Sequence, residues 1–140
     1  MSYLLDTNVI SQFIAKKPAE TVLGWITKHR SAGLYLSSIT IGEIQRGISI
    51  LPVSKRQRHL SQWLHRRLLI EYDRFILPVD RHTMLVWGDL MADLKRKSHP
   101  IPIMDSLIAA TTIQPTLTLV TRNVRDSQAL DIPLLDPWDG

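Results

Sequence analysis

Asp6, Glu43, Asp105 and Asp126 lie far apart in the chain, yet each follows an apolar run that reads as a strand or opens a segment with helical spacing. Asp6 comes directly after Tyr3-Leu4-Leu5. Glu43 lies in the helical segment after Leu34-Tyr35-Leu36, Asp105 stands at a helix start, and Asn123 and Asp126 follow the strand-like Leu117 to Thr121. If these strands run parallel, residues just past their carboxyl ends share one edge of the sheet, where the ligand crevice of an open α/β sheet lies. Carboxylates gathered within roughly 4–6 Å raise one another's pKa and destabilise the fold, and a divalent cation removes that cost. The chain has no cysteine, and no histidine stands beside these acids. An all-oxygen donor set favours magnesium, with manganese as a substitute, over zinc.

Each acid has a second reading, because helix starts favour anions. Asp6 could cap the first helix, Thr40-x-x-Glu43 has the spacing of a capping box, and Asn123-x-x-Asp126 has that of another cap. Their coincidence at one expected edge favours the shared site. Thr7 and Thr121 could contact the carboxylates or a phosphate, or satisfy local backbone groups. Arg46, one turn after Glu43, could pair with a carboxylate or a phosphate. Other acids act as an internal control: Asp89 and Asp93 share a helix face, but Asp93 has Arg96 and Lys97 within pairing distance, the pattern of a solvated face. Asp131, Asp136 and Asp139 read as surface acids of a polar tail. His29, His59, His65, His82 and His99 show no paired ligand spacing and are assigned no catalytic role. Trp25, Trp63, Trp87 and Trp138 read as core or interface anchors.

The elements that must position these residues follow from hydrophobic periodicity. Strands are expected at Tyr3 to Leu5, Leu34 to Leu36, Phe75 to Val79, Leu117 to Thr121 and near Pro133 to Leu135. Helical stripes lie between them: Val9 to Ile14, a run from about Ala19 that Gly33 ends, and a helix carrying Ile41, Ile44, Ile48 and Leu51 that Pro52 stops. Further helices are expected from Ser54 to Arg74, from Arg81 to Lys97, and around Met104 to Ala110. Short strands alternating with helices predict a central, mostly parallel sheet covered on both faces. At 140 residues, 44% of them hydrophobic, the chain can bury one core, so residues 1–140 are expected to form a single domain. No run approaches a membrane span, and the absence of cysteine suits a reducing cytoplasm. A formal charge of +4, with basic clusters around Lys28, Lys55, His65 and Lys95, favours a polyanionic partner.

Asp6-Thr7-Asn8, Glu43-Ile44-Gln45-Arg46-Gly47, Asp105-Ser106-Leu107-Ile108-Ala109-Ala110 and Thr121-Arg122-Asn123-Val124-Arg125-Asp126 resemble, in order and spacing, the motifs of PIN domains of the VapC and FitB type. The resemblance covers essentially the whole chain, and Asp136-Pro137-Trp138 resembles the Asn-Pro-Trp ending of the FitB-like branch. It implies a three-layer α/β/α sandwich and a magnesium-dependent endoribonuclease that serves as the toxin of a type II toxin–antitoxin system. Carried over by position, Asp6, Glu43 and Asp105 match the three acids at the core of the metal site. Asp126 matches the acid a turn after Thr-Arg-Asn, and Asn123 stands where some relatives have Asp. Ser127 and Thr112 depart from the pattern without touching the metal chemistry. Implied partners are RNA, a small antitoxin whose tail wraps the toxin and whose own domain contacts operator DNA, and a second copy in a homodimer or larger assembly. In the family a basic antitoxin side chain can enter the site, so Arg46 could also sense occupancy.

Three rival classes make different demands. A receiver-like domain should show paired acids early and a lysine after a late strand, but no early pair exists and Arg122 follows Thr121. A phosphatase beginning Asp-x-Asp is disfavoured by Asn8. The remaining alternative is a non-cleaving, nucleic-acid-binding PIN subunit of a toxin–antitoxin-like regulatory complex.

Overall fold

The computed structural model describes residues 1–139. β1 (Tyr3–Leu5), β2 (Leu34–Ser37), β3 (Ile76–Leu77), β4 (Thr118–Val120) and β5 (Leu134–Leu135) form one sheet in the order β3-β2-β1-β4-β5. All four pairings are parallel, and central Leu4 is in register with Tyr35 on one side and Leu119 on the other. Side chains alternate faces along each strand. Tyr3, Leu5, Leu34, Leu36, Ile76, Val120 and Leu135 join one apolar cluster, whereas Leu4, Tyr35, Leu77, Leu119 and Leu134 join the other.

Helices cover both clusters. On the first face, α2 (Glu20–His29), α3 (Ser38–Ser49) and α4 (Lys55–Trp63) contribute Val22, Ile26, Ile44, Ile48 and Leu60. On the second, α6 (Arg81–Arg96) and α7 (Ile103–Ile113) contribute Leu90, Leu94, Ile108 and Ala109. The expected α/β/α sandwich is therefore the observed one, and the sheet is parallel throughout. Gly33, at φ +87°, enters β2 in a conformation that suits glycine, and a Cβ there would stand 3.1 Å from Ser2 Oγ. Among the described residues no helix is long and apolar enough to cross a membrane.

Two elements differ from expectation. The run from Ser54 to Arg74 is not one regular helix: α4 gives way to a π turn at Leu64–Leu68, then α5 (Leu69–Glu71) and a 3-10 turn at Asp73–Phe75. Its buried residues Leu60, Leu64, Leu68 and Tyr72 recur every four positions. In a regular α-helix such a series drifts by about 40° per step, and a wider π turn takes up the drift and keeps the stripe on the core. The strand expected at Phe75 to Val79 shrinks to two residues. The Phe75 N–H closes the 3-10 turn on the Tyr72 carbonyl at 2.7 Å, and Pro78 has no N–H to offer a neighbour.

Candidate metal centre at the carboxyl edge of the sheet

β2 and β3 lie to one side of β1, and β4 and β5 to the other, so the strand order reverses between β1 and β4. A crevice opens at the carboxyl ends of two such strands. Asp6 ends β1 at that point, is only 6% exposed, and is the N-cap of α1 (Thr7–Ile10). Its Oδ1 accepts the Thr7 backbone N–H at 2.7 Å. Its Oδ2 accepts the Thr121 hydroxyl at 2.7 Å, a bond that spans the reversal between β1 and β4.

Thr7 links the first acid to the second. Its hydroxyl donates to Glu43 Oε1 at 2.6 Å and stands 3.0 Å from the buried Thr40 hydroxyl. The capping-box reading of Thr40-x-x-Glu43 does not hold, because Ser37 caps α3 by accepting the Ile39 N–H at 3.2 Å. Glu43 therefore lies in the second turn of α3, with its carboxylate on Thr7. Asp105 sits partly buried in the first turn of α7, and Asp126 is exposed on α8 (Val124–Ser127). Asn123 occupies the cap position of α8 without a side-chain capping bond. Its N–H instead donates to Thr121 Oγ1 at 3.1 Å.

The electrostatics follow from this placement. Burial pushes Asp6 up to about 6, with Asp105 and Glu43 adding to the rise, while bonds from Thr121 and Thr7 oppose it. Burial also raises Asp105, reinforced by Glu43 and Asp126. No lysine, arginine or histidine forms an ion pair with any of the four acids among the described residues. Nor do three acids stand close enough to close a shell around one ion among those residues. The arrangement is an open group of carboxylates within Coulombic reach, two of them joined through Thr7.

The sequence profile of the PIN domain matches residues 3–129. The chain belongs to the PIN-domain family. It is 33% identical to Toxin FitB of Neisseria gonorrhoeae over 135 residues, 96% of this chain and 97% of the relative. It is 32% identical to VapC ribonuclease Y4jK of Sinorhizobium fredii over 136 residues, 97% of each. The solved FitAcB structure from Neisseria gonorrhoeae superposes with a TM-score of 0.91 at 32% identity, covering 97% of this chain and 98% of the other. VapBC2 of Rickettsia felis, solved bound to a DNA fragment from their promoter, gives 0.79 at 26% identity, with coverage of 96% and 98%.

In this PIN domain a cavity of about 540 Å³ adjoins the acids, lined by Ser38, Ile39, Gly42, Glu43, Arg46 and Met104. Arg46 is exposed on its wall and pairs with no carboxylate among the described residues, so the ion-pair reading of Arg46 is corrected. Of the control acids, Asp89, Asp131 and Asp139 are exposed and Asp93 is matched by cations, whereas Asp136, expected at the surface, is partly buried and accepts the Trp138 backbone N–H at 2.8 Å. Lys97 Nζ lies 2.9 Å and Arg96 3.9 Å from the Asp93 carboxylate, and the Lys97 bond holds Asp93 below its usual range. Trp25 stacks on His29 at 4.2 Å, and the Trp87 indole donates to Ser106 Oγ at 2.8 Å.

Four contacts at the PIN-domain edge had no reading in the sequence. Asn8 Oδ1 accepts the Arg122 N–H at 3.4 Å, and His99 Nε2 lies 3.3 Å from the Asp126 carbonyl. Thr40 stands beside Thr7, and Arg122 lies over the Trp138 ring. The only signal for Asn8 and Arg122 was their place within the Asp-Thr-Asn and Thr-Arg-Asn runs. Nothing in the spacing pointed to His99.

Proposed function

We propose that this chain is a magnesium-dependent endoribonuclease acting as the toxin of a type II toxin–antitoxin pair. The observation that carries the reading is Asp6, a buried carboxylate at the strand-order reversal, faced by Glu43 and Asp105 and paired with no cation among the described residues. A buried acid in that position must either keep a proton or meet a dication. The donor chemistry suits magnesium, since every candidate ligand is oxygen. Magnesium keeps several of its waters and is held through one or two carboxylates, so acids too widely spaced for a closed shell still suit it.

On this reading Asp6 and Asp105 hold the ion, and Glu43 binds it or orients a water beside it. Asp126 completes or supports the group at its margin, and Asn123 offers a neutral oxygen to the ion or the substrate. A divalent cation there supplies Lewis acidity and offsets charge on the phosphate. Thr121 and the Thr7 backbone fix the Asp6 carboxylate from both oxygens, and the Thr7 hydroxyl fixes Glu43, so neither acid needs to reorganise when RNA arrives. Arg46, on the cavity wall, offers the phosphate a charge-assisted contact.

The names of the relatives support the class: FitB is named a toxin, Y4jK a ribonuclease, and VapBC2 was solved on promoter DNA. The partners proposed here are RNA, a small cognate antitoxin that carries the contact to operator DNA, and a second copy of the chain, all in the cytoplasm. Purified protein incubated with single-stranded RNA tests the activity. Cleavage is expected with Mg²⁺, none with EDTA, and a rate lower by orders of magnitude from Asp6→Asn. Unchanged cleavage by Asp6→Asn would assign the activity to a contaminant, and RNA bound but left intact would favour the non-cleaving subunit.

A further inference from the structure

Arg122 is the first residue after the strand-end threonine that holds Asp6. Its backbone is fastened to the site, with its N–H on Asn8 Oδ1 at 3.4 Å and neighbouring Thr121 and Asn123 joined through the Thr121 hydroxyl. A flexible arginine beside several uncompensated carboxylates would be expected to fold onto one of them. Arg122 does not: among the described residues it forms no ion pair, and its guanidinium carbon lies 5.0 Å from the centroid of the Trp138 ring.

Trp138 is built as a shelf for that cation. It packs, partly buried, against the core on the first face of the sheet. Its backbone N–H donates to Asp136 Oδ1 at 2.8 Å, and the Thr121 backbone N–H donates to the Leu135 carbonyl at 2.9 Å, tying the tail to the end of β4. Attraction between the guanidinium and the indole face holds the cation while consuming none of its five N–H donors. An arginine held in this way is exposed, oriented, and kept off the acids.

We propose that Arg122 anchors the RNA phosphate adjoining the scissile one, and that Trp138 is the positioning residue that holds Arg122 for it. The proposal rests on the ribonuclease reading and adds a substrate contact outside the acid group. Because β5 runs parallel to β4, it delivers the tail at the carboxyl edge, where Trp138 meets the residue that follows Thr121.

The test is a double-mutant cycle in RNA cleavage, with binding of intact single-stranded RNA measured separately in an Asp105→Asn background. Arg122→Ala is expected to raise KM about tenfold with kcat nearly unchanged, as loss of one charge-assisted phosphate contact should. The slope of log affinity against log salt should fall in magnitude by about 0.7, the loss of one contact to a single strand. Trp138→Ala should raise KM by a smaller factor, Trp138→Phe should restore most of it, and Arg122→Ala/Trp138→Ala should be no worse than Arg122→Ala alone. If melting shows that Trp138→Ala has unfolded, Trp138→Leu takes its place, since leucine fills space without a π face. A parental KM and salt slope in Arg122→Ala would overturn the proposal, as would a double variant whose loss is the product of the two single losses. The binding arm needs no cleavage, so an inert parent enzyme overturns the ribonuclease reading while the salt slope still judges Arg122.

Discussion

Two groups of aspartates in this molecule have opposite surroundings. On α6, Asp93 meets Lys97 and Arg96, and Asp80 caps the helix by accepting both the Thr83 N–H and the Thr83 hydroxyl at 3.0 Å; both acids are held below the usual carboxylate range. At the carboxyl edge of the sheet, Asp6 and Asp105 are raised by burial and by neighbouring carboxylates, Asp105 and Glu43 for the first and Glu43 and Asp126 for the second, although Asp6 has two donors of its own. Hydrogen bonds alone therefore do not decide the sign. The α6 acids are solvated and matched by cations or a cap, and they suit a folded protein with no further partner. The edge acids are costly as they stand, and the proposed metal site rests on that cost.

The sharpest way to break the contrast is to neutralise one acid from each group. Asp6→Asn should lower the cleavage rate by roughly 10³-fold, the equivalent of the several kcal/mol that a bound cation contributes to the phosphate transition state. Asp93→Asn should leave cleavage unchanged and lower the melting temperature only slightly. Equal losses from the two would remove the distinction.

The second effect concerns the metal-free fold. Because burial pushes Asp6 up to about 6 in the folded chain against the usual 3.8 of an aspartate, the folded state holds its proton more tightly than the unfolded state. The stability that this gives is complete below about pH 4 and is lost as pH rises through 6, on the order of 3 kcal/mol from this residue. In EDTA, Asp6→Asn should therefore unfold in denaturant at higher concentration than the parent at pH 7.5, with the gap closing toward pH 4. A destabilised variant at pH 7.5 would contradict the sign.

Smaller again is the effect of the supporting hydroxyl. Thr121→Val removes the bond to Asp6 Oδ2 and should weaken magnesium binding by about 10- to 100-fold, the range for groups that orient a metal's ligands. An unchanged affinity would leave Thr121 a backbone-capping residue only.

Much of this was legible in the residues. Largely apolar runs such as Tyr3 to Leu5 and Leu117 to Val120, the latter interrupted only by Thr118, located β1 and β4, because a strand buried on both faces is nearly continuously apolar. Asp6 could then be set at the strand end from chain order alone. Less legible was everything decided by tertiary registration. The four-residue recurrence of Leu60, Leu64, Leu68 and Tyr72 was present in the sequence, but a π turn follows from it only when the whole stripe is known to face one core. Ser37 and Thr40 are both good caps by type, and only the end point of β2 chooses Ser37. Arg122 and Trp138 are distant in character and share no periodic pattern. Their contact depends on β5 pairing with β4.

Whether the edge carboxylates hold an ion is decided by a calorimetric titration of Mg²⁺ into metal-free protein at pH 7.5. Saturable binding is expected in the parent and in Asp93→Asn, and loss of that binding in Asp105→Asn. At pH 6 the parent should also release protons as the ion binds, because Asp6 must ionise to receive it. Non-saturating heats in the parent, or equal affinity in Asp105→Asn, would contradict the account.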